Sequence, residues 1–193
     1  MQFEDLKKYK FILASKSPRR QYLLKELGLH FEIYTKDVDE SFPEHLKAQQ
    51  IPLYLAEKKA AAFESELTAD TIVITSDTIV WVNNQVLNKP VDRTDAIRML
   101  QLLSGKMHEV YTGVCLKSKN KMHSFYVRTN VYFKTLTLQE IEYYVDNFSP
   151  YDKAGAYGAQ EWIGYIAVEK IEGSYFNVMG LPLKELYEAL LTF

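Results

Sequence analysis

Ser15-Lys16-Ser17-Pro18-Arg19-Arg20 gathers two hydroxyls and three cations directly after the apolar run Phe11-Ile12-Leu13-Ala14. Ser17 suits a helix N-cap and Pro18 the first helical position, so the segment reads as strand, tight turn, helix start. The free N–H groups and positive dipole end of such a start, joined by Ser15, Lys16, Arg19 and Arg20, suit an anion, phosphate above all. A second group lies in Thr71–Val82, where Asp77 interrupts a β-branched run. Burying an unpaired carboxylate costs on the order of several kcal/mol, so Asp77 calls for a metal, a cation or hydrogen-bond donors beside it. The alternative is that Asp77 closes a bend through Thr78 and meets water. Asn83-Asn84 predicts a hairpin that returns Lys89 toward Asp77. Gln160, in the Gly-punctuated segment Tyr151–Gln160, offers an amide donor and acceptor side by side, a match for the edge of uracil or thymine. A hydrated loop glutamine is the plain alternative.

The elements that must position these groups follow from periodicity and punctuation. The first helix runs at helical spacing to Gly28, and Phe31–Tyr34 alternates as a short strand. Asp37-Val38-Asp39-Glu40 is an acidic loop, either simply solvated or, if it faces the phosphate turn, a source of a carboxylate for a hard divalent cation. Leu53–Phe63 predicts a helix behind Pro52, with Lys58 and Lys59 as surface cations. Thr71–Val82 reads as one or two strands, and Asp92 to Gly105 as a capped amphipathic helix. Val110–Leu116 and Ser124–Phe133 predict a hairpin, and Thr137-x-x-Glu140 is a capping box for a helix ended by Ser149-Pro150. Tyr165–Ile171 and Tyr175–Val178 read as two further strands before a closing helix through Leu190. Hairpins mixed with helices give an α/β protein with a mixed, twisted sheet and helices on its faces.

The chain has 193 residues, 47% of them hydrophobic, which suits one sizeable core and a single domain over residues 1–193. A formal net charge of -2 gives no global attraction to nucleic acid or anionic membrane, so the expected partner is a small anion. Cys115 is the one cysteine, which excludes an internal disulfide and fits a reducing compartment, by default the cytoplasm. No stretch approaches the roughly 18 apolar residues of a membrane span. His30, His45, His108 and His123 lack zinc-ligand spacing. No Walker loop or Rossmann fingerprint is present.

In order along the chain, Ser15–Arg20, Asp39-Glu40, Lys59-Ala60, Ser76-Asp77-Thr78, Lys89-Pro90, Ala154-Gly155-Ala156-Tyr157-Gly158-Ala159-Gln160 and Gly173-Ser174-Tyr175 resemble the Maf family of nucleoside triphosphate pyrophosphatases, once described as septum-formation inhibitors. The set most resembles the dTTP/UTP branch. The resemblance implies a Maf/ITPase-like fold with two lobes around a nucleotide cleft. It also implies hydrolysis of the α–β phosphoanhydride of dTTP, UTP and modified pyrimidine nucleotides, a house-cleaning role. On the family's pattern Ser15, Arg19, Arg20, Lys59 and Lys89 bind the triphosphate, Glu40 and Asp77 hold Mg²⁺ or Mn²⁺, and Asp77 activates water. Arg19, Thr78 and Gln160 select the base, and the family implies a homodimer. Two other readings remain: a non-catalytic nucleotide-binding regulator of septum formation, disfavoured by the intact Glu40, Lys59, Asp77 and Lys89, and the same chemistry on a methylated guanine nucleotide, disfavoured by Gln160. Lys16 adds charge where the family often has a small residue, and Glu161 replaces a common glycine beside Gln160; both departures bear on substrate preference.

Overall fold

The structure, a computed structural model, describes residues 3–193. A seven-stranded mixed sheet carries helices on its faces, with strand order β2-β1-β3-β5-β6-β7 and β4 paired to β3. Its strands are β1 (Lys10–Leu13), β2 (Phe31–Ile33), β3 (Thr71–Val82), β4 (Gln85–Leu87), β5 (Met107–Lys117), β6 (Met122–Phe133) and β7 (Val168–Glu172). The helices are α1 (Pro18–Glu26), α2 (Gln50–Ala61), α3 (Arg93–Leu103), α4 (Leu138–Phe148), α5 (Trp162–Ala167), α6 (Tyr175–Met179) and α7 (Leu183–Thr192). None of the described helices is long and apolar enough to cross a membrane. Contacts divide the chain into two compact units, one comprising the chain up to Asp77 with Thr112–Val127 and Gly180–Phe193, the other Thr78–Tyr111 with Arg128–Met179.

In the first unit β1 lies parallel between β2 and the start of β3, pairing Phe11 with Phe31 and with Ile72. Parallel strands are covered on both faces, and β3 is accordingly buried without alternation from Thr71 to Ser76. Phe63, Leu67 and Val73 pack with Ile12 and Ala14, and Ala56 and Ala60 of α2 pack on Cys115. Thr75 Oγ1 donates to the Ala56 carbonyl at 2.7 Å, fixing β3 against α2 two residues before Asp77. Helix α2 starts two residues earlier than Pro52 suggests.

The second unit holds the larger apolar cluster, in which Met99, Leu100 and Leu103 of α3 meet Ile141, Tyr144 and Val145 of α4. Asn83 and Asn84 both take positive φ, 50° and 58°, as a two-residue hairpin turn requires, and β4 pairs Leu87 with Val80. The capping box forms as the spacing predicts, Thr137 and Glu140 exchanging side-chain bonds with each other's N–H.

Two expected strands are corrected. Tyr165–Ala167 is helical, since α5 begins at Trp162 and only Val168 onward joins the sheet. A Cβ on Gly164 would lie 2.0 Å from the Ala159 carbonyl oxygen, so only glycine fits this first turn of α5. Tyr175–Val178 lies within α6, which places buried Asn177 to donate to the Val110 carbonyl at 3.1 Å and to Thr129 Oγ1 at 3.0 Å.

His108 is buried in this unit, its Nε2 2.8 Å from the Tyr157 hydroxyl and its ring edge-on to Phe133. Burial lowers its pKa from 6.5 to about 3. Between those values the unfolded chain binds the proton and the folded chain does not, so stability is lost as pH falls from 6.5 toward 3. His108→Gln should flatten that limb of melting temperature against pH; an unchanged slope would show that His108 does not carry it.

Candidate active site

Five of the sequence-predicted groups, with Ser15, lie in the first unit. Ser15 is buried in the turn between β1 and α1, where its Oγ accepts from the Ser17 N–H at 3.2 Å and its carbonyl from Gln21 Nε2 at 3.1 Å. The turn is therefore tied by Ser15. Ser17 holds the N-cap position with extended backbone but makes no side-chain cap bond, which corrects the role expected of its hydroxyl. Pro18 opens the helix as predicted. Lys16 is exposed and pairs with Asp37 at 3.0 Å, a surface contact worth little.

Arg20 points back from α1 to the end of β3, its Nη1 donating to the Ser76 carbonyl at 2.7 Å and its Nε to the Gly180 carbonyl at 2.9 Å. Burial pulls its pKa down, while the neighbouring Asp77 raises it, Arg19 lowers it and Glu40 raises it. Two carbonyl bonds fix the plane of the guanidinium beside Asp77.

Asp77 sits on β3 with its side chain 13% exposed, and its Oδ1 is 2.6 Å from Lys59 Nζ. The same ammonium is 2.7 Å from Glu40 Oε1. Asp77 is thus an ion-paired strand residue, not the cap of a bend. Lys58, expected in solvent, instead binds Asp39 Oδ2 and the Ser41 carbonyl, each at 3.1 Å. Consecutive lysines of α2 hold consecutive carboxylates of the acidic loop, so the loop is docked rather than merely solvated. Asp39 is held at a pKa of about 2, first by the Ser41 hydroxyl and N–H and then by Lys58.

Asp77 and Glu40 converge on one ammonium, that of Lys59. Mg²⁺ typically takes one or two protein carboxylates and completes its shell with phosphate oxygens and water. Among the described residues no cluster of three or more His, Cys, Asp or Glu suits a metal. The two-carboxylate set fits an ion that arrives with a polyphosphate rather than one held by protein alone.

Thr78, Lys89 and Gln160 belong to the second unit. The antiparallel register of β3 and β4 directs the chain after Leu87 back alongside Thr78, and Lys89 follows two residues later. The loop carrying Gln160 binds this hairpin: the Gly155 N–H donates to the Asn88 carbonyl at 3.1 Å, and a Cβ on Gly155 would lie 2.8 Å from the Val80 side chain. Gln160 Oε1 is buried and makes no hydrogen bond among the described residues.

The sequence singles out Glu161 only as a departure from the family beside Gln160; it gives no role to Ser76, whose carbonyl anchors Arg20, or to Lys153 and Tyr144, which interact with Glu161 beneath the Gln160 loop. A lysine inside a small-residue loop was the available signal for the last group, since lysine is rarely buried without a partner.

The Maf-like protein family matches residues 10–193 of the chain. A relative from Flavobacterium johnsoniae named dTTP/UTP pyrophosphatase is 54% identical across 98% of this chain and 97% of its own length. One from Bacteroides fragilis with the same name is 52% identical across 96% of this chain and 97% of its own. Among solved structures, a HAM1 protein from Coxiella burnetii superposes with a TM-score of 0.52 at 13% identity, covering 96% of this chain and all of that one. The Staphylococcus aureus Ham1 protein gives 0.51 at 13% identity, covering 95% of this chain and 98% of its own, so the fold is shared. Matched by that family over residues 10–193 and more than half identical to both relatives, the chain belongs to the Maf family.

Proposed function

We propose that the protein hydrolyses the α–β phosphoanhydride of dTTP and UTP, releasing the monophosphate and pyrophosphate. The observation that carries this reading is the Lys59 ammonium between Asp77 and Glu40, with Arg20 fixed beside the same carboxylate. Ser15, Arg19, Arg20, Lys59 and Lys89 neutralise the triphosphate. Asp77 accepts the proton of a water whose oxygen attacks the α-phosphorus, and the bridging oxygen departs with pyrophosphate. Such a site works by positioning and electrostatic stabilisation. Glu40 and Asp77 would hold a divalent cation, Mg²⁺ or Mn²⁺, which when bound offsets the charge developing on the phosphates. Arg19, Thr78 and Gln160 choose the base, with the unpartnered Gln160 Oε1 accepting from the imide N–H of uracil or thymine. We further propose that residues 1–193 work as a single domain, since the boundary between the units falls inside β3, β5 and β6. The cytoplasm is the compartment we infer, on the ground that Cys115 is the one cysteine of the sequence.

A panel of nucleoside triphosphates assayed for pyrophosphate with and without chelator tests the reaction. Pyrophosphate from dTTP and UTP that vanishes in excess chelator is expected. Orthophosphate as first product would overturn the assigned bond, and binding without turnover would favour the regulatory reading.

Gln160→Glu should lower kcat/KM for dTTP and UTP by about one to two decades, the scale of one unpaired polar group in a desolvated pocket. An ionised glutamate can only accept, so the pyrimidine carbonyl beside it meets repulsion. Equal losses on purine and pyrimidine nucleotides would assign Gln160 to the fold or the phosphates instead.

A further inference from the structure

Beneath the loop that carries Gln160, three buried or half-buried side chains join in a network that the proposed chemistry leaves unused. Lys153 Nζ lies 2.6 Å from Asp152 Oδ1 and 3.1 Å from Glu161 Oε1, with 8% of its side chain exposed. The second Glu161 oxygen accepts from the Tyr144 hydroxyl, and that hydroxyl accepts from the Gly158 N–H at 3.1 Å. Tyr144 is fully buried on α4. One phenol oxygen therefore grips the chain on both sides of Gln160, at Gly158 and at Glu161. The Gln160 carbonyl is fixed as well, accepting from the Tyr165 hydroxyl at 2.7 Å. Room for the amide is tight: a Cβ on Gly158 would lie 2.9 Å from Gln160 Nε2. With both flanks and its own carbonyl held, the Gln160 amide has few rotamers left, and its unpartnered Oε1 is presented in one direction.

We propose that Glu161, clamped between Lys153 and Tyr144, is a positioning residue for Gln160 and sets the sharpness of pyrimidine selection. The inference rests on the reading of Gln160 as the base-recognising residue. Its physical basis is preorganisation. A recognising amide held in place loses little entropy on binding, and a buried lysine paired to a half-buried carboxylate resists the displacement a mismatched base would require. Lys153 completes the clamp, since its charge is matched by two carboxylates from opposite ends of the loop.

Two variants loosen the clamp without touching Gln160. Glu161→Gln keeps the shape and an acceptor for Tyr144 but gives up the ion pair with Lys153. Tyr144→Phe removes both phenol hydrogen bonds and retains the ring. Each should lower the ratio of kcat/KM on dTTP to that on dGTP by about tenfold, through KM on dTTP, with kcat changed less than about threefold. The double variant should lose less than the product of the singles, because both act through one network. Glu161→Gln still reports if Tyr144→Phe fails to fold. An unchanged ratio in these variants, while Gln160→Glu collapses it, overturns the positioning role and leaves base recognition by Gln160 standing. An unchanged ratio in Gln160→Glu overturns both. A uniform drop in kcat on every nucleotide also overturns the inference, since it marks a network that only supports the fold.

Discussion

Asp77→Asn should lower kcat on dTTP by at least about 10²-fold, the scale of lost general acid–base catalysis, while the protein stays folded. The substitution keeps volume and an oxygen that can accept from Lys59, but removes the negative charge that takes a proton or meets a cation. The contacts of Lys59 also decide what happens to stability. Without a partner, Asp77 would be a buried charge whose removal raises the melting temperature. Paired at 2.6 Å with an ammonium that also holds Glu40 at 2.7 Å, it is compensated, and after substitution Lys59 keeps one carboxylate. The melting temperature should therefore move little in either direction. Steady-state kinetics and a thermal melt on one preparation make the check. Retained turnover would reduce Asp77 to a partner of Lys59, and a large rise in melting temperature would show that the ion pair does not compensate the buried carboxylate.

Lys59→Met should lower kcat/KM on dTTP by about 10²- to 10³-fold, the range for losing one charge-stabilising donor from a preorganised site. It should also lower the melting temperature, unlike Asp77→Asn. Removing one partner of a buried pair leaves the other charge uncompensated, typically at about 3–5 kcal/mol. The lower end applies, because Glu40 is half exposed and can turn to water. Lys59→Met combined with Asp77→Asn should recover much of that stability and none of the activity, since the two residues are coupled. Lys59→Arg should restore stability better than turnover, as a planar fork replaces a point charge between the two carboxylates. Activity within about threefold of wild type in Lys59→Met would make Lys59 a structural bridge alone.

The sequence by itself determined whatever depends on neighbours within a few positions. Asn83-Asn84 had to turn, because two adjacent positive φ angles favour asparagine. Thr137 and Glu140 had to open a helix, because each satisfies the other's free N–H. Pro18 after Ser15-Lys16-Ser17 set a helix start rich in donors, and the β-branched run around Asp77 set a strand with one charge in it. Tertiary structure decided the pairings. Lys58 and Lys59 have the composition of surface lysines, and only the packing of α2 against β3 and the acidic loop brings Lys59 to Asp77 and Glu40, eighteen or more residues distant in sequence. Arg20 is fixed by a carbonyl at Gly180, far beyond any local pattern. The helices at Tyr165–Ala167 and Tyr175–Val178, where strands are expected from the sequence, go with contacts no local pattern shows: Gly164 packed against the Ala159 carbonyl, and buried Asn177 bonded to Val110 and Thr129. The Lys153, Glu161 and Tyr144 network belongs to the same class: burying a charge is tolerable only beside specific partners, and those partners exist only once the fold has assembled them.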